Sequence, residues 1–394
     1  MGSIPYQTAL ELTRDNVIAA HALVKPHIHH TPVQTNTTLS TLASTPQSPD
    51  ALKGTPWEGQ EPAKPKIKLF FKCENFQRIG AFKVRGAFHA VKRLIERTEG
   101  GNHAQALALA GKTFSIPAHI VMPSISTPSK IAGTKSQGAI VHFSGSTSDE
   151  REAVVADVIK QTGATLVPPY DHADIILGQG TMALEIEAQV EELLASDADL
   201  GVHGTGGKGL DAVIAPCGGG GMLAGNAVAL HGTGVRVFGA EPSFEGADDA
   251  RRGVAAGSRV TSVKTLTIAD GLRTPLGEIN WKIISDPSYI AGLYAVTEQN
   301  IKDAMRLVLE RMKCFVEPSA VVGLAVILFN EDFRKMVERE SGDEGWNIGV
   351  VFSGGNTTVE AISKIFEVKE DKPAERAEGK VGRDGERVAE NVAG

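Results

Sequence analysis

The sequence predicts an α/β protein of two domains, each with a mostly parallel sheet flanked by helices. Apolar segments of strand length alternate with segments that repeat apolar residues at helical spacing, and this βαβ alternation is typical of parallel sheets. The predicted strands are Ile67–Phe71, Ala118–Met122, Ile140–Phe143, Thr165–Val167, Ala212–Ala215, Val235–Ala240 and Ile348–Phe352. A chain of 394 residues is long enough for two domains with sizeable cores.

The segments between these strands are predicted as helices, two polar insertions and a tail. Leu12–Val24 has apolar residues at helical spacing, with Thr13 as the N-cap. Further helices are predicted at Asp149–Thr162, Gly180–Leu194 and Glu298–Met312. Thr45–Lys66 is rich in Pro, Ser, Gly and charge, which predicts a surface insertion without structure of its own. Ala195–Leu210 is predicted as a second loop insertion, and residues 367–394 as a disordered charged tail.

The composition argues against several classes of protein. A net charge of −7 argues against nucleic acid or an anionic membrane as the main partner. Three cysteines without CxxC spacing predict a reducing compartment, with neither a disulfide framework nor a structural zinc site. No segment is apolar over the length of a membrane span, and no signal or transit pattern is present. We therefore expect a cytoplasmic protein.

One lysine, Lys83, has the surroundings of a reactive amine. It lies in Phe71–Ala87 (FKCENFQRIGAFKVRGA), where an apolar strand leads through a turn at Arg78–Gly80 to a helix that starts at Ala81. Partial desolvation beside Phe82 and a helix N-terminus would lower the pKa of the ammonium group, which suits a nucleophile. Taken alone, a lysine in such a segment is more commonly a solvated surface charge.

Two glycine-rich loops follow apolar segments further along the chain. Asp211–Gly225 (DAVIAPCGGGGMLAG) runs from a predicted strand through four consecutive glycines into a predicted helix. Backbone N–H groups exposed at a helix N-terminus bind phosphate without cationic side chains, so this loop is predicted to bind a phosphate. A flexible turn is the alternative. Val351–Asn356 (VFSGGN) is the second loop.

Together these segments resemble the serine/threonine dehydratase and serine racemase family of pyridoxal phosphate enzymes, which have the tryptophan-synthase-β-like fold (fold type II). The matching motifs are FKCENFQRIGAFKVRGA, GNHAQALALA (Gly101–Ala110), GQGTMALEI (Gly178–Ile186), the four glycines, ADGL (Ala269–Leu272), VEPSA (Val316–Ala320) and FSGGN. The resemblance implies a large cofactor-binding domain at residues 1–91 and 169–366, a small domain at 92–168, and a homodimer. No C-terminal regulatory domain is expected.

The resemblance implies how pyridoxal 5′-phosphate would be bound. Lys83 would form a Schiff base with the cofactor and remove the substrate's Cα proton, with Phe82 against the cofactor ring. Asn102 would contact the 3′-oxygen. The phosphate would be bound by Gly218, Gly219, Gly220, Gly221 and Met222. Ser353 would face the pyridine nitrogen without holding it protonated, which weakens the electron sink and favours elimination. A turn residue is the alternative for Ser353.

Substrate contacts are also implied by the resemblance. The substrate carboxylate would be bound by the backbone at Gly101, Asn102 and His103. Arg151 would reach a second carboxylate, although a charged helix start is the simpler interpretation of its neighbours. Glu317 matches a carboxylate near the cofactor, with a capping residue as the alternative.

A divalent-cation site is implied by the segment AEPSFEGADD. Glu241, the carbonyl of Ala247, and Asp249 match the family's oxygen ligands, which suit Mg²⁺ or Ca²⁺. Two extra residues in the Phe244–Gly246 region change the spacing of the family motif. The alternative is a solvated acidic loop.

The main departure from the family lies before Gly101. Family members have a strand there, whereas residues 94–100 run directly into Gly101–His103, so the small domain is expected to lack one strand. Gly100 occupies the position at which racemases carry a catalytic serine, and it has no side chain. We therefore expect a dehydratase that converts L-serine, L-threonine or 3-hydroxyaspartate to a 2-oxo acid and ammonia. The alternatives are a serine racemase with residual dehydratase activity, or a cofactor-binding protein without catalysis.

Overall fold

The computed structural model describes residues 10–95, 104–126, 128–145, 148–202 and 209–367. The strands in this part of the chain are β1 (Val33–Thr35), β2 (Ile67–Cys73), β3 (His119–Pro123), β4 (Ile140–Ser144), β5 (Ala212–Pro216), β6 (Arg236–Pro242), β7 (Gly292–Val296) and β8 (Trp346–Phe352). The helices are α1 (Arg14–Val24), α2 (Thr37–Ser44), α3 (Lys83–Ile95), α4 (Ala104–Phe114), α5 (Pro128–Ser136), α6 (Ser148–Thr162), α7 (Ala173–Ser196), α8 (Gly221–Leu230), α9 (Asp249–Ala256), α10 (Glu278–Ile284), α11 (Glu298–Leu307), α12 (Val322–Phe329), α13 (Glu331–Ser341) and α14 (Val359–Phe366).

A six-stranded sheet in the order β1-β2-β8-β5-β6-β7 forms the larger core. Every pair in it is parallel except β1 with β2. Alternate side chains of β2 face opposite layers. Phe71 belongs to the core that includes side chains of α2, α11, α12 and α13, whereas Phe70 belongs to the core that includes side chains of α1, α7, α8 and α10. Both faces of the sheet are therefore covered by helices, as parallel sheets require. The predicted α/β class is confirmed.

The smaller sheet has two parallel strands, β3 and β4, paired from His119 opposite Ile140 to Pro123 opposite Ser144. Helices α4 and α6 pack on β3, and α5 packs on β4. The residues just before Gly101, where the small domain is expected to lack a strand, lie outside the described residues, so that expectation stays a prediction. Thr165–Val167 was predicted as a strand, and this is wrong, because the segment makes only an isolated bridge at Leu166. The domain boundaries themselves stay predictions.

Most predicted helices are present with shifted ends. The hydroxyl of Thr13 accepts the N–H of Asn16 at 3.3 Å, which confirms the predicted N-cap of α1. Helix α7 begins earlier than predicted, at Ala173. Helix α11 ends at Leu307 and continues as a π-helical turn to Met312. No helix in the described ranges is both long and apolar enough to cross a membrane.

The insertion 45–66 is packed, and the prediction that it lacks structure is wrong. It contains a 3₁₀ turn at Pro49–Leu52, and the side chains of Leu52 and Ala63 are buried. The reason is a long-range contact, since buried Arg334 of α13 donates to the carbonyl of Thr45 at 2.6 Å. Of the second insertion, 195–202 and 209–210 are described, and the Asp197 side chain caps a short turn there. Residues 203–208 and the predicted tail from 368 lie outside the described residues.

Candidate active site

Two loops bring Lys83 and Ser353 together. They follow the neighbouring parallel strands β2 and β8, whose carboxyl ends lie at the same edge of the sheet. Ala81 forms an antiparallel bridge with Gly354, and the N–H of Phe82 donates to the carbonyl of Ser353 at 3.0 Å. The start of α3 is therefore attached to the loop that carries Ser353, which is buried.

The surroundings of Lys83 differ from those expected. Its Nζ lies 5.3 Å from the ring centroid of Phe82, but the side chain is exposed and lines a cavity. The predicted desolvation is therefore wrong for this structure, because the aromatic ring covers only part of a side chain that faces an open cavity. Ile79, which also lines the cavity, has a φ of 61°, a left-handed backbone that is costly for a β-branched residue.

Helix α3 is held in place by buried charges. Lys72 and Glu185 are joined at 2.7 Å, and Arg85 contacts Glu74 at 2.8 Å. The hydroxyl of Thr31 donates to Glu74 at 2.5 Å. All four charged side chains are buried, so the two cations and two carboxylates compensate each other between β2, α3 and α7. Lys83 lies two residues before Arg85 on this fixed helix.

The four glycines form a loop between β5 and α8 whose N–H groups are available for an anion. Gly220 has a φ of 92°, a conformation that favours glycine, and α8 begins at Gly221. In the described part of the chain, none of the N–H groups of Gly219, Gly220, Gly221 and Met222 donates to another protein group. Unsatisfied N–H groups at a helix start, together with the helix dipole, form an anion site.

The same loop is closely packed on its other side. A Cβ on Gly219 would lie 2.6 Å from Cγ of Tyr170, and one on Gly221 would lie 2.8 Å from the carbonyl oxygen of Tyr170. A Cβ on Gly218 would lie 3.0 Å from Cα of Leu272. The flexible-turn interpretation of the glycines is therefore wrong, because glycine is needed where neighbouring backbone and ring atoms approach.

A cavity of about 480 Å³ connects these features. Its volume is within the usual range of ligand pockets. Most of the predicted site residues line it, namely Phe82, Lys83, Arg151, Gly218, Gly219, Gly220, Gly221, Met222, Glu317 and Ser353. Gly101, Asn102 and His103 lie outside the described residues, so the contacts expected of them stay predictions.

Glu317 supports the loop that carries Ser353. Its carboxylate accepts the N–H of Asn356 at 3.1 Å, and its own N–H donates to the carbonyl of Gly354 at 3.1 Å. Its side chain does not cap the 3₁₀ turn Pro318–Val321 that follows it. The carboxylate is thus oriented by the FSGGN loop at the edge of the cavity.

Arg151 and Tyr170 also line the cavity, Arg151 from α6, which packs on the small sheet, and Tyr170 beside the glycine loop. Arg151 is in the first turn of α6, as the charged-helix-start interpretation expected, but it also faces the cavity. Tyr170 was not among the predicted site residues. Burial, and next the charge of Asp171, raise the pKa of Tyr170, so its phenol is protonated near neutral pH. Its position shortly after the apolar segment Thr165–Val167 is the sequence feature that could have identified Tyr170 as a site residue.

The predicted cation ligands lie apart from the cavity-lining residues. Glu241 and Asp249 are buried, so the alternative of a solvated acidic loop is wrong for them. Burial, and next the charge of Asp249, raise the pKa of Glu241 well above its usual value, and burial raises that of Asp249 to about 6. The carboxylate of Glu241 accepts the N–H groups of Ala250 and Arg251 at 3.0 and 2.8 Å. Ala247 is also buried. The described residues contain no group of three or more His, Cys, Asp or Glu side chains arranged so that they could hold a metal ion.

The family is decided by a match that includes nearly all of these site residues. The family model described as pyridoxal-phosphate dependent enzyme matches residues 50–354. The chain belongs to this family.

Relatives of this pyridoxal-phosphate dependent enzyme include both racemases and lyases. A serine racemase of Arabidopsis thaliana is 36% identical over 357 residues, which cover 88% of this chain and 94% of the relative. An L-threo-3-hydroxyaspartate ammonia-lyase of Saccharomyces cerevisiae is 37% identical over 318 residues, covering 78% and 88%. The solved structure of maize serine racemase has a TM-score of 0.72 at 32% identity and covers 89% of this chain and 96% of its own. The fold is therefore that of the fold type II pyridoxal phosphate enzymes.

The site fits the family's cofactor. A phosphate group matches the N–H groups of Gly219 to Met222, which in the described part of the chain have no protein acceptor. Lys83 supplies an amine to the same cavity, where the cofactor's aldehyde requires one. Ser353 supplies a buried hydroxyl. The residues that line the cavity thus provide the three kinds of group that pyridoxal 5′-phosphate needs.

Proposed function

We propose that this pyridoxal-phosphate dependent enzyme is a dehydratase, an ammonia-lyase that converts L-serine, L-threonine or 3-hydroxyaspartate to a 2-oxo acid and ammonia. The observation that carries the proposal is Gly100. Racemisation needs a second acid–base group on the face opposite the catalytic lysine. In the motif that this chain shares with the racemases, Gly100 stands where that group would be, and glycine has no side chain.

Each cavity residue has a role in this proposal. The amine of Lys83 removes the proton from the substrate's Cα. When bound, the cofactor would withdraw the electrons left on Cα. The β-hydroxyl would then leave as water with the proton that Lys83 had taken, and hydrolysis of the released unsaturated amine would give the 2-oxo acid and ammonia. The N–H groups of Gly219 to Met222 would hold the phosphate, and Phe82 would support the ring. Ser353 would offer a hydroxyl to the pyridine nitrogen, which would leave that nitrogen unprotonated and favour a substrate with a group to eliminate.

A second cation in the cavity lining, Arg151, supports a substrate with two carboxylates. We infer that the backbone at Gly101, Asn102 and His103 binds the first carboxylate and that Arg151 binds the second, which 3-hydroxyaspartate has and serine lacks. A planar guanidinium pairs with a carboxylate through two parallel hydrogen bonds. The name of the yeast relative, an L-threo-3-hydroxyaspartate ammonia-lyase, supports the same substrate class.

One observation favours a second candidate, a serine racemase. The phenol of Tyr170 lines the cavity and is held protonated by its raised pKa, so it offers a proton that Gly100 cannot. The serine racemases among the relatives support this candidate too. In that case Lys83 would remove the Cα proton and Tyr170 would return one from another side.

The test is an assay of the purified enzyme with pyridoxal 5′-phosphate and four substrates: L-serine, D-serine, L-threonine and L-threo-3-hydroxyaspartate. We expect oxo-acid release without D-serine formation from L-serine, and loss of oxo-acid release in Lys83→Ala. Formation of D-serine at a comparable rate, abolished by Tyr170→Phe, would establish the racemase instead. Absorbance of the lysine-bound cofactor without either product would indicate a non-catalytic binding protein.

We further propose a divalent-cation site and a cytoplasmic homodimer. The site consists of Glu241, Asp249 and the carbonyl of Ala247. Its support is that both buried carboxylates have a raised pKa, that of Glu241 through burial and then the charge of Asp249 and that of Asp249 mainly through burial, where a cation would compensate them. Mg²⁺ and Ca²⁺ suit such oxygen ligands. The dimer and the compartment rest on the family resemblance and on the three free cysteines.

A further inference from the structure

The four-glycine loop has no side chains, so its shape must be set by neighbouring groups. Glycine is the most flexible residue, and four in succession have no preferred conformation of their own. Yet the N–H groups of this loop bind a phosphate only if they all face the cavity. The contact that orients them comes from α10, a helix that the sequence did not connect with the site.

Asn280 of α10 makes one hydrogen bond to the loop and one to Tyr170, which packs on the loop. Its Nδ2 donates to the carbonyl of Gly219 at 2.7 Å and to the carbonyl of Tyr170 at 3.2 Å. The side chain of Asn280 is fully buried. The amide orientation follows from the partners, since both are carbonyl oxygens and only the NH₂ group can donate to them.

The orientation of the Gly219 carbonyl determines the direction of the next N–H group. This oxygen also accepts the N–H of Gly277 at 3.1 Å, so both of its lone pairs are directed toward α10. The described chain has no cis peptide bond, and in a trans peptide the C=O and the following N–H point in opposite directions. The N–H of Gly220 therefore points away from α10, and Gly219 and Gly220 both line the cavity.

The position of Asn280 is itself fixed by Asp171. The Asp171 carboxylate accepts the N–H groups of Glu278, Ile279 and Asn280 at 2.8, 2.9 and 3.2 Å. This caps the first turn of α10, as acidic residues at helix starts commonly do. The segment Tyr170–Asp171, the start of α10 and the glycine loop are thus connected through one buried amide.

We propose that Asn280 is a positioning residue for the cofactor phosphate. It does not touch the phosphate; it holds the Gly219 carbonyl on the outer side of the loop, so that the N–H groups face the cavity. This inference rests on the family's cofactor and not on whether the reaction is elimination or racemisation.

The test compares two ligands that differ only in the phosphate, pyridoxal 5′-phosphate and pyridoxal. Their dissociation constants are measured with the cofactor-free protein by absorbance titration, for the wild type and for Asn280→Asp. The substitution keeps the shape but places an oxygen against both carbonyls. We expect the preference for the phosphorylated ligand to fall by at least about tenfold, with a change in pyridoxal affinity of no more than about twofold.

A second variant, Asn280→Leu, removes both hydrogen bonds without adding a charge. It replaces Asn280→Asp in the test if that variant does not fold, and the same loss of preference for the phosphorylated ligand is expected. The matched control is Asn226→Leu in α8, because Asn226 is fully buried and neither of its side-chain polar atoms has a partner in the described part of the chain. We expect this control to keep the wild-type preference.

Two results would overturn the proposal. If the affinities for both ligands fall together in the Asn280 variants, and the ratio of the two dissociation constants stays within about twofold of the wild-type ratio, Asn280 has a general structural role only. If the wild-type protein itself does not prefer the phosphorylated ligand, the loop does not bind phosphate. Neither result depends on product formation, so the dehydratase proposal is tested separately by its own assay.

Discussion

Arg85 and Glu185 form a two-pronged ion pair in the interior of the larger domain. Nη1 of Arg85 lies 2.8 Å from Oε1 of Glu185, and Nη2 lies 2.6 Å from Oε2. Both side chains are buried, with 0% of Arg85 and 3% of Glu185 exposed to solvent. The pair joins α3 to α7 two residues after Lys83, so the proposed catalytic lysine begins a helix whose position is fixed by a bidentate contact.

Arg85→Met is therefore expected to destabilise the protein by about 3–5 kcal/mol, because it leaves Glu74 and Glu185 buried without their shared cation. Arg85→Lys should have a free energy of unfolding between those of the wild type and Arg85→Met, because lysine keeps the charge and loses the forked geometry. Urea denaturation measures the free energy of unfolding. The control is Lys364→Met, which breaks an exposed pair with Glu360 and should cost less than about 1 kcal/mol. A cost for Arg85→Met as small as the control's would contradict the role of the pair.

The interior strands could be predicted from the sequence because parallel strands covered on both faces are continuously apolar. Strands β5 and β8 are buried at every position and were predicted to within two residues at each end. The edge strands were missed. Strand β1 has three residues, none fully buried, and β7 is only partly buried over four of its five residues, so neither has a clear apolar pattern.

The site residues that lie in short sequence motifs could be predicted, whereas those that contact the site from distant parts of the chain could not. Lys83, the four glycines and Ser353 lie in short motifs whose chemistry could be interpreted residue by residue. Tyr170 and Asn280 were missed because their contacts with the glycine loop join residues about 50 to 60 positions apart, to which local patterns are insensitive. The exposure of Lys83 also depends on the shape of the cavity, which the sequence does not contain.

Gly219→Ala is expected to weaken the binding of pyridoxal 5′-phosphate by more than about tenfold. The added Cβ would lie 2.6–2.8 Å from three ring carbons of Tyr170, so the loop or the ring must move. If the clash is the cause, the double variant Gly219→Ala/Tyr170→Ala should recover part of the affinity. Fluorescence titration of the cofactor-free protein measures the cofactor affinity of the single and the double variant.

Gly323→Ala is the control for this substitution, because the nearest atom to its added Cβ, in Ile214, lies at an ordinary contact distance of 3.4 Å. It lies inside α12, where alanine is the better helix former, so unchanged cofactor affinity is expected. Equal affinity in Gly219→Ala and Gly323→Ala would show that the close approach of Tyr170 does not constrain the loop.

Mg²⁺ or Ca²⁺ is expected to stabilise the protein at pH 8 and much less at pH 4. The pKa of Asp249 is raised to about 6 in the folded protein, whereas an unfolded aspartate titrates at about 3.9. The folded state therefore holds a proton that the unfolded state has lost, and stability falls as pH rises between these values and stays lower above about 6. A cation between Glu241 and Asp249 replaces that proton.

The melting temperature with and without the cation at the two pH values measures this effect. Asp249→Asn should abolish the cation-dependent increase at pH 8 and should also reduce the loss of stability between pH 4 and pH 8. Asp286→Asn provides a control, because Asp286 is an exposed carboxylate whose pKa is lowered by its hydrogen bonds with Ser288. If the cation raises the melting temperature equally at both pH values, or still raises it in Asp249→Asn, the cation binds at another site.

Arg334→Met is expected to release the insertion 45–66 from the larger domain. The buried guanidinium donates to the carbonyls of Thr45 at 2.6 Å and Ala63 at 3.4 Å, which lie near the two ends of the insertion. Its partner Glu331 accepts the N–H of Ala63 at 2.5 Å. Without the guanidinium both carbonyls lose this donor, that of Ala63 in a buried position, and Glu331 loses its cation, at a cost of about 2–4 kcal/mol.

Limited proteolysis with trypsin measures this release, because Lys53 lies within the insertion and cleavage requires local unfolding. Cleavage at Lys53 should accelerate by at least about tenfold in Arg334→Met under conditions where the rest of the chain stays intact. Arg339→Met, on the same helix but largely exposed, should leave the rate unchanged. If the two variants are cleaved equally slowly, the insertion is held by its own packing, through Leu52 and Ala63, and Arg334 has no special part in it.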